Sequence, residues 1–182
     1  MKGILRNWHR YLLWATVSFV FWAWVVNLIT DAPAKNKVIL YADVPALDRD
    51  ALSLALEEDL PENIRFVEAR LFTEEIFSPT SVAKGDLFLV SAAVAESYLP
   101  GLRVMERSAF PEPPGEMTGD VIYGIVVHDQ NAGIHTAASR VLYDPEEVYY
   151  LCFNPDSVHL GAWNGSADDA AMRVAETFFA LP

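Results

Sequence analysis

The sequence predicts an α/β domain behind one apolar N-terminal helix. Three observations carry that prediction. The first is an uncharged run of 20 residues, Tyr11 to Thr30, about the length that spans a hydrocarbon core as a helix. The second is a series of short, continuous apolar runs that alternate with helical patterns from residue 37 onward. The third is an apolar stripe at helical spacing near the end, formed by Ala171, Val174, Ala175, Phe178 and Phe179.

The N-terminal run predicts a transmembrane anchor over residues 1–30, in contact with membrane lipid through residues 11–30. Lys2, Arg6 and Arg10 precede the run and Asp31 comes directly after it. Positive flanks stay on the inner side, so the expected topology is single-pass, with a cytoplasmic N-terminus and an extracytoplasmic remainder at the cell membrane. A cleaved signal peptide is the rival reading, because Ala32-Pro33-Ala34 offers small residues at a cleavage point. Residues 31–36 read as a linker, and residues 37–182 as the α/β domain.

Within that domain, "KVILYA" (37–42) is a short apolar run without alternation, which predicts a strand covered on both faces. "DVPALDRDALSLALEEDLP" comes next as a helix, with Leu47, Ala51, Leu54 and Ala55 at helical spacing and Pro61 as its stop. "NIRFVEARLF" and "DLFLVSA" read as the second and third strands, with the mixed segment "TEEIFSPTSVAKG" between them. "AVAESYL" is a short helix. Pro111, Pro113 and Pro114 make 102–119 an irregular crossing. "VIYGIVV" (121–127) is a fourth strand, in which Gly124 lets another group approach the backbone. "HDQNAGIHTAA" reads as a polar loop, and "SRVLYDPEEVYYLCF" as two short β-runs split at Asp144-Pro145. Ser166 is the expected N-cap of the last helix, with Asp169 three residues on. Together these segments predict a small, mainly parallel sheet flanked by helices.

Charge narrows the partners. None of the 25 acidic residues precedes residue 31, so the remainder holds ten basic residues against 25 acidic ones, a net of −15. Such a surface disfavours nucleic acid as a partner. Cys152 is the single cysteine, so no intrachain disulfide forms.

The order of the motifs resembles one lobe of the solute-binding proteins of ABC importers. "KVILYADVPALDRDALSLALEEDLPENIRFVEARLF" is similar to their opening strand, helix and strand. "GDLFLVSAAVAESYLPGLRVME", "GDVIYGIVVHD" and "NGSADDAAMRVAETFFALP" are similar to later segments in the same order. Only about 25 residues separate "YGIVVHD" from "YYLCFN", too few for the second lobe. The resemblance implies a ligand edge at the carboxyl ends of the strands, near Asp43 and Ser91. It also implies a binding role, beside a transporter or another membrane complex, toward a small ligand or protein partner.

The most reactive-looking stretch is "LCFNPDSVH", with Cys152, Asp156, Ser157 and His159 within eight residues. Nucleophile, base and orienter normally come from separate elements, and no GxSxG turn is present. Asn154-Pro155-Asp156-Ser157 has the composition of a tight turn. Ser157 and His159 stay as candidate ligand-binding residues. A tethered hydrolase or thiol enzyme using Cys152 or Ser157 with His159 is the alternative to a non-catalytic binding domain. No zinc spacing and no glycine-rich phosphate loop is present, so no metal and no cofactor is expected.

Overall fold

The computed structural model describes residues 8–30, 33–58, 60–72, 85–99, 101–115 and 121–182. It divides into two compact units, Met1–Pro33 and Ala34–Pro182.

The first unit is helix α1, Trp8–Thr30. Among the described residues no helix is long and apolar enough to cross a membrane. This overturns the expected single-pass anchor and the signal-anchor role. The reason lies in composition. The described helix opens on Trp8, His9, Arg10 and Tyr11, and many of its later residues are aromatic or hydroxylated rather than aliphatic. Trp and Tyr carry polar handles, and a charged turn offsets several apolar residues. With no spanning helix among the described residues, the flanking charges do not set sides, and the expected cytoplasmic N-terminus and extracytoplasmic domain are not supported either.

The second unit is the α/β domain. Its strands are β1 (Lys37–Ala42), β2 (Ala46–Leu47), β3 (Phe66–Leu71), β4 (Leu87–Ser91), β5 (Leu102–Met105), β6 (Ile122–Asp129), β7 (Ile134–His135), β8 (Val141–Leu142) and β9 (Tyr149–Phe153). Its helices are α2 (Arg49–Leu56), α3 (Ala92–Tyr98) and α4 (Ala170–Ala180). The main sheet runs β3-β1-β4-β9-β6-β5, with β7 paired to β6; β2 and β8 form a separate ribbon. Strand β1 is parallel to β3 and β4, and β5 is parallel to β6. Strand β9 is antiparallel to both neighbours, so the sheet is mixed at its centre rather than mainly parallel. The "YYLCF" run comes back beside β6 after the β6–β7 hairpin, antiparallel to it, with no α-helix between the two strands.

Both sheet faces are covered. Val38, Leu40, Ala42, Leu87, Leu89, Ile125 and Leu151 meet Leu52 and Leu56 of α2 and the Ala171, Val174, Ala175 and Phe178 stripe of α4. On the other face Ile39, Tyr41, Phe88, Val90 and Cys152 meet Ala95 and Leu99. Period-2 alternation between two buried faces is why these strands read as unbroken apolar runs.

Several details differ from the sequence reading. Leu54 of α2 is 71% exposed, and the buried face is Leu52 and Leu56. The crossing at 102–119 contains strand β5, which the nearby prolines conceal. Ser166 does not cap α4. Its hydroxyl accepts from Gly161 N and donates to Asp168 O, while Asp168 Oδ1 accepts from Ala170 N. The segment at 73–84 lies outside the described residues.

The β3 edge of the sheet is closed by side chains. Val67 N donates to Glu57 Oε1 and Ala69 N to Ser53 Oγ, so helix α2 satisfies outward-facing amides of this strand.

Candidate functional site

The four predicted site residues fall into two pairs at opposite ends of the sheet. Asp43 and Ser91 lie at the carboxyl ends of β1 and β4. Ser157 and His159 lie at the other end, where β4 begins and β9 finishes.

At the carboxyl end, Asp43 N donates to Leu89 O at 2.7 Å, which fixes the backbone beside β4. Asp43 Oδ2 then accepts from Ser91 Oγ at 2.9 Å and from Ser91 N at 3.4 Å. Ser91 Oγ also accepts from Val94 N in the first turn of α3. The antiparallel insertion of β9 brings Tyr149 opposite Ser91. The Tyr149 hydroxyl accepts from Asp144 N at 3.3 Å. Burial pushes this phenol up, and the nearby carboxylates of Asp43, Asp144 and Glu147 push it further. The sheet edge is therefore acidic and carries hydroxyl groups.

The same end holds an aromatic cluster. His128 stacks on Tyr143 with centroids 4.5 Å apart and lies edge-on to Tyr149 at 6.0 Å. The Tyr143 hydroxyl donates to Thr136 O at 2.8 Å. Strands β6 and β7 form a hairpin that sets His128 opposite His135. Sequence reading missed this, taking "HDQNAGIHTAA" for a loop. The signal was there: Asp129, Asn131 and Gly133 are turn formers between two histidines. Asp129 Oδ1 accepts from Asn131 N and Ala132 N, and Gly133 adopts φ +70°.

At the opposite end the reactive residue types serve the fold. Asp86 Oδ2 accepts from Ile39 N at 2.8 Å, and Asp86 Oδ1 from Ser157 Oγ at 2.6 Å. Ser157 Oγ also accepts from His159 N. The His159 ring pairs through Nδ1 with Asp168 Oδ1 at 2.7 Å. Asn154 Nδ2 donates to Gly85 O, and Asn164 Nδ2 to Ser157 O and Pro155 O. Ser157 N donates to Asn154 O, as the expected turn requires. Asp86, Ser157 and His159 are all buried, and burial pushes the Asp86 carboxyl up despite the bonds from Ser157 and Ile39. Ser157 gives its proton to a carboxylate, and the imidazole ring is committed to Asp168.

Cys152 is fully buried in the α3-side core, and burial pushes its thiol up. Its sulfur fills space that Gly124 leaves open. A Cβ at Gly124 would stand 3.0 Å from Cys152 Sγ and 2.8 Å from Leu102 Cδ1. Among the described residues no three His, Cys, Asp or Glu side chains gather as metal ligands.

Compared with known proteins, the chain matches no family model, no curated sequence and no solved structure.

Proposed function

We propose that the α/β domain is a non-catalytic binding module. Its recognition face is the carboxyl edge of the sheet, and its ligand is cationic. The observation that carries this reading is the held Asp43 carboxylate, fixed by Ser91 beside the Tyr149 hydroxyl, with Asp144 and Glu147 adding charge. An edge of hydroxyls and carboxylates suits ammonium or guanidinium groups. The resemblance to a solute-binding lobe supports the same edge, since it expects the ligand beside Asp43 and Ser91. The buried thiol of Cys152 and the structural commitments of Ser157 and His159 favour binding over hydrolysis.

Calorimetric titration with spermidine, agmatine and arginine tests the reading. Binding should weaken at least tenfold in Asp43→Asn and fall as salt rises. Unchanged binding in that variant, or a preference for small dicarboxylates, overturns it.

A further inference from the structure

We infer that His128 and His135 form a two-imidazole site for a borderline divalent cation of the zinc, nickel or copper class. The pair is a cross-strand couple of the β6–β7 hairpin, with its Nδ1 atoms 3.2 Å apart and ring centroids 4.9 Å apart. A cation at the usual metal–imidazole distance of about 2.1 Å from both nitrogens would see them at about 100°, close to a tetrahedral or cis angle. Imidazole nitrogens favour these cations, whereas magnesium and calcium take oxygen donors. The hairpin register fixes the backbone, and stacking on Tyr143 holds the buried His128 ring. His135 is exposed, so the site is reachable and its remaining positions are left to water. Asp129 is turned into the hairpin turn, which leaves the pair as the protein's two donors.

Alone, the two rings share a single hydrogen bond, and His128 Nε2 is buried without a partner among the described residues.

The test uses the full chain, stripped with a chelator and titrated with Zn2+, Ni2+ or Cu2+ alone at pH 7.5, with Mg2+ for comparison. One cation should bind per chain with micromolar affinity, and Mg2+ should not compete. His135→Ala, an exposed substitution, should weaken binding at least tenfold, and His9→Ala should leave it unchanged. Cu2+ should broaden the ring signals of Tyr143 in nuclear magnetic resonance spectra of the native chain. No binding of any of the three metals, equal binding by His135→Ala, or loss of binding in His9→Ala overturns the inference.

Discussion

At the scale of single residues, the buried carboxylate of Asp86 is the most informative group. Its folded pKa is raised above the unfolded value, mainly by burial. The stability it contributes is therefore fully present below the ordinary carboxylate range and is lost as pH rises through the raised value. Asp86→Asn should remove that falling segment. Denaturant unfolding of both proteins from pH 4 to pH 7 checks it, and the wild-type minus variant difference should decrease with pH. Ser157→Ala strips Asp86 of its hydroxyl donor and His159 N of its acceptor. It should cost about 1–3 kcal/mol, the usual penalty for unpaired buried polar groups. These roles were only half readable in the sequence. The turn at Asn154 to Ser157 can be read from residue types alone. Its long-range partner Asp86 cannot, because 71 residues separate it from Ser157.

At the scale of elements, period and length were the reliable signals. Strands β1, β4 and β9 and helix α4 announce themselves, because continuous apolar runs and a helical stripe leave few alternatives. Helix α2 was found, but its buried face was not. Leu54 and Leu52 are equally apolar, and only the sheet decides which one packs inward. Strand β5 was hidden beside prolines, since an edge strand of four residues needs little apolar sequence. The site obeyed the same logic. Asp43 and Ser91 were readable because strand ends can be read, whereas Tyr149, Asp144 and the histidine pair depend on the antiparallel return of β9 and on the hairpin. Two substitutions measure how tightly these elements pack. Phe178→Ala in α4 should cost about 3–5 kcal/mol, since the ring is fully buried between helix and sheet. Gly124→Ala should also destabilise, by about 1–3 kcal/mol, because its methyl meets Leu102 and Cys152 on the strands either side. Chemical unfolding midpoints report both.

At the scale of the whole molecule, the net charge of −15 outside the first 30 residues is the dominant field. Like charges repel most in the compact state, and salt screens them. The thermal midpoint should rise by several degrees between 10 mM and 150 mM salt, as monitored by circular dichroism. The covered β3 edge ties local opening to self-association. Helix α2 packs on the core and also occupies the amides of that strand through Ser53 and Glu57. Fraying of this one helix would therefore uncover a greasy surface and a free strand template in the same event. Repulsion between acidic surfaces keeps such frayed molecules apart at low salt. Added salt thus has opposed effects: it steadies the individual fold and removes the barrier to fibre-like growth from the β3 edge once α2 frays.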